Sequence, residues 1–385
     1  MILQLLGRRT PSRFLAHYWQ KRPLLIRGAV PGFRDLIEPA DLFSLTAGDA
    51  VESRLVLRQG ARWSLEHGPF ARRRLTTLPK ARWTLLVQGL NLHLDSADRL
   101  LRRFAFIPQA RLDDVMVSYA APGGGVGPHV DSYDVFLLQG RGRRRWRIAP
   151  HGEPRAGQLL AHAPLKILRK FKPAAEYVLE AGDMLYLPPG WAHDGVAMDW
   201  CSTYSIGFRA PARRELMAEF LLRFSERVAQ PAGAGRFSGH YADPGLKPAR
   251  QPAALPAAMI DELAEQLARL RFTRRDMADF LGGWLSEPKP RVVFERPRQP
   301  LSPLRFGAAL RARGARLDRG SLMLISGYGA YINGESCDPS AAGGTRWLQR
   351  LADQRALPPG PYGQRLCRVL HDWYLHGWLH IGALP

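Results

Sequence analysis

Apolar residues change their spacing three times along this chain, and each change predicts a different kind of element. Near the start, Phe14, Leu15, Tyr18 and Trp19 have helical spacing, and Gln20-Lys21-Arg22-Pro23 stops that helix. Leu24-Leu25-Ile26 then reads as a short buried strand in a mixed lead-in over residues 1–90. Between 110 and 210, short β-type runs are punctuated by Gly and Pro: Val115–Tyr119, Val135–Gln139, Arg145–Ile148, Met184–Leu187 and Thr203–Phe208. Many short strands with such turns predict a sandwich or barrel. Beyond Pro211 the period lengthens. Leu216, Phe220, Phe224 and Val228 recur every four residues, and Ile260, Leu263, Leu267 and Leu270 alternate steps of three and four, so two amphipathic helices are expected. The Pro, Gly and Ala-rich stretch Pro231 to Pro256 between them reads as a linker. A second linker, Glu287-Pro288-Lys289-Pro290 through Pro303, marks a domain boundary. After it, Leu322–Ile325 and Ala330–Ile332 flank Ser326-Gly327-Tyr328-Gly329 as a hairpin within a mixed α/β module over 291–385.

The bulk properties narrow the class. A chain of 385 residues predicts two or three domains. The net charge of +21, from 55 basic and 34 acidic residues, suits an anionic partner or a ribonucleoprotein setting, and equally a host that prefers Arg. Cys201, Cys337 and Cys367 are too scattered for a disulfide framework or a cysteine zinc site. No apolar run approaches the roughly 18 residues of a membrane helix. The first apolar residues precede the basic ones, the reverse of a secretory signal. A soluble cytoplasmic protein, without a membrane partner, is the expectation.

Metal chemistry enters at Pro122-Gly123-Gly124-Gly125-Val126-Gly127-Pro128-His129-Val130-Asp131-Ser132-Tyr133-Asp134. On a strand, residues i and i+2 share a face, so His129 and Asp131 can grip one metal together. His193, projected by the turn Pro188-Pro189-Gly190 after Met184–Leu187, completes a two-histidine, one-carboxylate facial set. That set leaves coordination positions open for a chelating cosubstrate and O₂ on non-haem Fe(II). His93-Leu94-Asp95 has the same local spacing, but the following Ser96-Ala97-Asp98-Arg99-Leu100-Leu101 makes Asp95 or Ser96 a helix N-cap instead. His376 and His380, four apart, read as parts of a partly buried structural helix, since no carboxylate follows His376 as in a zinc-protease motif.

Next to the metal motif stands Gly140-Arg141-Gly142-Arg143-Arg144-Arg145-Trp146-Arg147-Ile148. Residues 144, 146 and 148 share one face of a strand, and Trp146 with Ile148 mark that face as inward. Arg144 is then a buried cation in need of an anion. A dicarboxylate cosubstrate supplies one, and the planar guanidinium suits a carboxylate. Arg143, Arg145 and Arg147 fall on the opposite face and are expected to be solvated or to touch nucleic acid.

Taken together, His129-x-Asp131, then Leu137-Leu138-Gln139-Gly140 with Arg143-Arg144-Arg145-Trp146, then Gly182-Asp183 with Pro188-Pro189-Gly190-Trp191-Ala192-His193, resemble the JmjC-type 2-oxoglutarate oxygenases. Tyr18-Trp19-Gln20-Lys21-Arg22-Pro23 and Gly207-Phe208-Arg209-Ala210-Pro211 through Arg214-Glu215-Leu216 bring the resemblance closest to the bacterial ribosomal oxygenases of the YcfD/RoxA kind, which hydroxylate an arginine of ribosomal protein uL16. The resemblance implies a mainly β cupin (double-stranded β-helix, JmjC) core, an α-helical dimerisation region and a C-terminal α/β winged-helix-like domain. The corresponding boundaries are a lead-in packing on the barrel over 1–90, the catalytic domain over 91–211, a helical dimerisation region over 212–290 and the winged-helix-like domain over 291–385. It further implies Fe(II), 2-oxoglutarate and O₂ as cofactor and cosubstrates, with Arg144 binding the distal carboxylate of 2-oxoglutarate and Ser118 assisting. The substrate would be uL16 and the assembly a homodimer.

A substrate pocket follows from the same alternation. Asp114, Met116 and Ser118 share one strand face, and an inward Asp is what a guanidinium would want. Tyr133 is two residues from Asp131 and so shares its face. In the resembled family, residues matching Asp114, Met116, Tyr133 and Ser205 hold the target arginine. Two other classes compete. Another JmjC hydroxylase or a demethylase is one, although methyl-lysine prefers an aromatic cage. A non-oxygenase cupin or a basic RNA-binding protein is the other, and it has no reason to pair Arg144 with an intact triad.

Overall fold

A computed structural model describes residues 3–229 and 239–382, so the part of the proposed Pro231–Pro256 linker over 230–238 lies outside the described residues. Two compact units are present. One comprises Met1–Ala210, Pro288–Ser321 and Asp353–Pro385; the other comprises Pro211–Glu287 and Leu322–Ala352. The stretch 291–385, read from the sequence as one module, is thus shared between them.

The first unit is built on twelve strands: β1 (Leu24–Ile26), β2 (Ser53–Gln59), β3 (Arg62–His67), β4 (Trp83–Val87), β5 (Leu112–Ala120), β6 (His129–Val130), β7 (Val135–Gln139), β8 (Arg144–Pro150), β9 (Ala175–Leu179), β10 (Met184–Leu187), β11 (Trp191–Ala197) and β12 (Cys201–Phe208). They form an eight-stranded sheet in the order β1-β10-β7-β12-β5-β4-β2-β3 and a four-stranded sheet in the order β6-β11-β8-β9. Every pairing in both is antiparallel. The expected strands at Leu24, Val135 and Met184 are present at their expected bounds, whereas β5, β8 and β12 begin earlier than their apolar runs.

Alternation along β7 explains how the larger sheet sits. Val135 and Leu137 pack with Trp146 and Ile148 of β8, Leu179 of β9 and Leu185 and Leu187 of β10, so this core lies between the two sheets. Phe136 and Leu138 point the other way, into a second core with Tyr186, Tyr204 and Phe208. That outer core is covered by the lead-in helices Pro11–His17 and Pro39–Leu45 and by helix Asp95–Arg102, which contribute Phe14, Leu42 and Leu100. Phe136 is fully buried against Phe104 and Tyr186, with ring centroids 4.9 and 4.8 Å away. Truncating such a side chain to Ala typically costs about 3–5 kcal/mol.

Two sequence blocks fix the ends of this arrangement. Asp134, fully buried, accepts from Tyr186 Oη at 2.6 Å and from Gln20 Nε2 at 3.0 Å, which ties the Tyr18–Pro23 block to the barrel. Asp183 accepts from Arg27 Nη1 at 2.6 Å and from the Gly28 amide at 2.9 Å, which seats β1 beside β10.

The rest of this unit is a three-stranded sheet, Ala356–Leu357, Ala315–Leu317 and Leu379–Ile381, with helices Pro303–Arg313 and Gln364–Leu375. His376 is the C-cap of the second helix, whereas His380 lies in the last strand, 2.8 Å from Asp318 Oδ2. The single helix expected to carry both histidines is therefore corrected. Gly377, at φ +77, reverses the chain between them.

The second unit contains helices Arg213–Ala229, Ala257–Ala268 and Arg274–Ser286 and a three-stranded meander, Met323–Ile325, Ala330–Ile332 and Glu335–Cys337. Phe220, Phe224, Phe272 and Phe280 cluster edge to face among its helices. Helix 257–268 buries none of its residues, and Ile260, Leu263 and Leu267 are 55–61% exposed. Among the described residues nothing covers its amphipathic stripe.

Candidate active site

His129 opens β6 and stands directly opposite His193 of β11 in the antiparallel register. Their ring centroids are 4.2 Å apart. Asp131 follows β6 at once, with Oδ1 3.8 Å from His129 Nε2 and Oδ2 3.5 Å from His193 Nε2. Among the described residues this is the one cluster of three such side chains able to offer ligand atoms within 4.8 Å of one another. Backbone carbonyls orient both rings. His129 Nδ1 lies 3.0 Å from Gly127 O, and His193 Nδ1 lies 3.0 Å from Trp191 O. An Nδ1–H donated to each carbonyl leaves each Nε2 lone pair aimed at the shared centre. Burial first, and His129 second, hold His193 down at about 4, so it is a neutral imidazole near neutral pH, the form that ligates metal.

The competing His93-Leu94-Asp95 motif is occupied otherwise. Asp95 forms an ion pair with Arg319 at 2.6 Å. The N-cap of helix Asp95–Arg102 is Leu94, which corrects the expectation of an Asp95 or Ser96 cap; Asp95 instead places its charge in the first turn, where the helix dipole favours it.

Arg144 is buried, on the same face as Trp146 and Ile148. Its Nη1 donates to Ser118 Oγ at 3.0 Å, and among the described residues its Nε and Nη2 have no partner. Three of the neighbouring arginines hold acidic partners. Arg143 binds Asp199 through its amide at 2.6 Å and through Nε at 3.0 Å, and Arg147 pairs with the buried Asp194. Arg141 pairs with Asp35 and Glu38, each at 2.7 Å. Arg143 is exposed, as expected, even though Asp199 pairs with it. The solvated role is corrected for Arg147, which is half-buried and is neutralised within the fold by a partner distant in sequence.

A cavity of about 270 Å³ joins these elements. Every residue assigned to the site from the sequence lines it: the triad, Arg144 and Ser118, and also Asp114, Met116, Tyr133 and Ser205. Sheet register explains the convergence. Ser205 of β12 pairs with Met116 of β5, and Thr203 pairs with Ser118, so the two neighbouring strands place their side chains at matching depths. Asp114 is buried at the start of this row. Its Oδ2 accepts from Gln88 Nε2 and from the Gly89 amide, both at 2.8 Å, and Lys289 Nζ lies 3.6 Å from it. Burial raises the Asp114 pKa, and Lys289 opposes that rise. Tyr133 lies beyond the end of β6, in a bend and 40% exposed, so it reaches the cavity from a loop and not by strand alternation.

Other lining residues escaped the sequence reading, among them Arg54, Gln88, Thr84 and Lys166. The first three come from the lead-in strands and their exits, which carry no motif. Glycines shape the opposite wall. A Cβ on Gly125 would sit 2.5 Å from Gly195 O, and one on Gly195 would sit 2.6 Å from the Trp146 ring. The Gly-rich entry to the metal motif is therefore a packing requirement.

Two imidazole nitrogens and one carboxylate, with an unpartnered buried guanidinium edge in the same cavity, form a donor set that fits Fe(II) together with a carboxylate-bearing cosubstrate. Comparison with known proteins gives the same picture. Residues 99–216 match the JmjC domain family and residues 266–380 match the ROXA-like winged helix. The chain is 35% identical to the ribosomal protein uL16 3-hydroxylase of Escherichia coli (strain K12) over 354 residues, 92% of this chain and 91% of that protein. The chain belongs to the ribosomal oxygenases. Solved structures of the Escherichia coli ribosomal oxygenase YcfD agree over the whole fold. One X-ray structure superposes with a TM-score of 0.82 at 32% identity, covering 97% of this chain and 98% of that one. Another, a complex with cobalt and 2-oxoglutarate, has a TM-score of 0.78 at 33% identity, covering 96% and 97%. A JmjC core and a winged helix occur in this one chain, and both of these fold expectations drawn from the sequence hold.

Proposed function

We propose that this ribosomal oxygenase is an Fe(II)- and 2-oxoglutarate-dependent protein hydroxylase acting on an arginine side chain of ribosomal protein uL16. The observation that carries this reading is the free edge of Arg144, buried in the cavity that holds the triad. A buried guanidinium with two unpaired donors is costly unless an anion completes it. The distal carboxylate of 2-oxoglutarate is such an anion.

His129, Asp131 and His193 would hold the iron. When bound, iron and 2-oxoglutarate supply the chemistry: O₂ is consumed, 2-oxoglutarate is decarboxylated to succinate, and a hydroxyl is delivered to the substrate carbon. The chain's own part is positioning. Nδ1 contacts to Gly127 and Trp191 fix the two rings. Arg144 and Ser118 set the depth of the cosubstrate. Asp114 receives the substrate guanidinium, while Met116, Tyr133 and Ser205 flank its aliphatic stem. Such placement of reactants accounts for much of the rate in enzymes of this type.

The uncovered apolar stripe of helix 257–268 supports a homodimer through the helical region 212–290, with the barrel domain 91–211, its lead-in 1–90 and the winged-helix-like domain 291–385 as the other working parts. No helix among the described residues is long and apolar enough to cross a membrane, and a cytoplasmic site of action, where ribosomal protein is made, suits the substrate. The test is mass spectrometry of a uL16 fragment incubated with iron-loaded protein, 2-oxoglutarate and air. A gain of one oxygen on an arginine, absent without 2-oxoglutarate, supports the whole reading. Succinate without peptide oxidation keeps the oxygenase and discards uL16. Neither product removes both.

A further inference from the structure

The motif Glu287-Pro288-Lys289-Pro290 has no part in the reaction outlined above, yet its lysine reaches the wall of the active site. Lys289 Nζ lies 2.8 Å from Asp113 Oδ1 and 3.6 Å from Asp114 Oδ2. Arg209 Nε also reaches Asp113, at 3.4 Å, but among the described residues Lys289 is the one cation within ion-pair distance of Asp114. Proline on either side stiffens the lysine backbone: Pro288 has its own φ fixed, and Pro290 restricts residue 289 to extended conformations. The Val292 amide closes a turn onto Lys289 O at 3.1 Å, and Arg291 Nη1 reaches Val51 O at 3.4 Å.

The contacts on Asp114 are one-sided. Gln88, Gly89 and Lys289 all address Oδ2. Among the described residues nothing donates a hydrogen bond to Oδ1, which lies near Gly207 of the cavity lining. Lys289 itself is not in the cavity lining, so it stands behind the carboxylate and not in the seat of a substrate. We propose that Lys289 is a positioning residue for substrate recognition, holding Asp114 from behind as a carboxylate with Oδ1 alone presented to a cationic side chain. The inference rests on the reading of Asp114 as the guanidinium receptor.

Physical chemistry supports a need for such a residue. A carboxylate buried beside a second one, Asp113, is pushed toward its neutral form, and a neutral acid is a poor receptor for a cation. The groups facing Asp114 are Asp113, Lys289, Gln88 and Gly89, with Tyr133 and Arg54 on the cavity side. Of these, Lys289 is the largest influence favouring the charged form.

The test compares full-length, iron-loaded wild type with Lys289→Met and Lys289→Arg, using a synthetic uL16 peptide that contains the target arginine. In Lys289→Met the peptide KM should rise about tenfold or more, without a matching rise in the KM for 2-oxoglutarate. The increase should be larger at pH 6 than at pH 8, because the freed Asp114 takes up a proton more readily. Lys289→Arg should restore most of the loss. Independently of any peptide, infrared difference spectra of Lys289→Met should show the C=O stretch of a protonated carboxyl at neutral pH, absent from Lys289→Met/Asp114→Asn. An unchanged or lower peptide KM in Lys289→Met, or no such band, overturns the proposal. If wild type does not hydroxylate the peptide, the uL16 reading fails and the infrared comparison alone decides the role of Lys289.

Discussion

Arg144 donates Nη1 to Ser118 Oγ at 3.0 Å, and its buried Nε and Nη2 find no partner among the described residues. The serine fixes one corner of the guanidinium plane, and the Trp146 ring, 5.9 Å from the guanidinium carbon, packs beside it. Preorganised in this way, the free edge can meet a carboxylate with two parallel hydrogen bonds. The two residues come from β8 and β5, strands of different sheets, so their contact also spans the cleft between the sheets.

The two residues should respond very differently to truncation. Arg144→Ala removes the cation and should weaken 2-oxoglutarate by on the order of 3 kcal/mol, a factor of about a hundred. Arg144→Lys should recover little, since an ammonium cannot form the bidentate pair. Ser118→Ala removes one supporting hydrogen bond, worth about 1 kcal/mol or roughly fivefold. Titration of 2-oxoglutarate into protein loaded with a redox-inert metal measures all three. Equal losses in Ser118→Ala and Arg144→Ala would contradict the division of roles.

The inward placement of Arg144 was legible because Trp146 and Ile148 mark their strand face as apolar, and period two carries that face to residue 144. The triad was legible because His129 and Asp131 are near neighbours and the turn before His193 is rich in Pro and Gly. β11 was not legible as a strand. Trp-Ala-His-Asp-Gly-Val-Ala shows no run of apolar residues, because one of its side chains is the ligand His193, another the partner of Arg147, and Gly195 must yield space to Trp146. β2 and β3 do alternate, with Arg54 and Arg58 opposite Leu55 and Leu57, and Arg62, Ser64 and Glu66 opposite Trp63 and Leu65, so these two strands were legible and were missed. The acidic partners of Arg141 and Arg143 are 106 and 56 residues away, and no local pattern announces pairs at that range. Lys289 was hidden for the same reason, inside a stretch that reads as a linker.

Removal of a triad ligand should separate metal loss from misfolding. Asp131 has 21% of its side chain exposed and lies outside the packed cores, so Asp131→Ala should keep the fold. Iron content measured on the purified variant should drop to background, and 2-oxoglutarate-dependent succinate formation should vanish with it. A variant that retains stoichiometric iron would remove Asp131 from the ligand set.

Acid should destabilise the metal-free protein through His193. Its folded-state value of about 4 lies below the ordinary 6.5, so the unfolded chain takes up the proton first as pH falls. The contribution of neutral His193 is therefore fully present above about pH 6.5 and is lost progressively toward pH 4. The loss should approach 3 kcal/mol as an order of magnitude. Urea unfolding of metal-free wild type and of His193→Gln, at pH 7 and pH 4.5, isolates this part, because the variant has no proton to gain there. Identical losses in the two proteins would assign the acid sensitivity to other groups.

Gly195→Ala tests whether the glycines of the cavity wall are structural requirements of the site. The added methyl would lie 2.6 Å from Trp146 Cη2 and Cζ3, far inside contact distance. The ring must move, and it stands in register opposite Gly195, with His193 and Arg144 as neighbours on the same face. Overpacking of this kind costs about 1–3 kcal/mol of stability. Because Trp146 shares its strand face with Arg144 and its ring lies 5.9 Å from His193, the displacement should also disturb both the cosubstrate and the metal positions. The expected result is a folded protein with a lower melting temperature and a weaker affinity for 2-oxoglutarate. A companion Trp146→Phe/Gly195→Ala double substitution, which makes room for the methyl, should recover part of the binding. If Gly195→Ala melts lower yet binds 2-oxoglutarate as wild type does, the indole shapes the core without shaping the cosubstrate site.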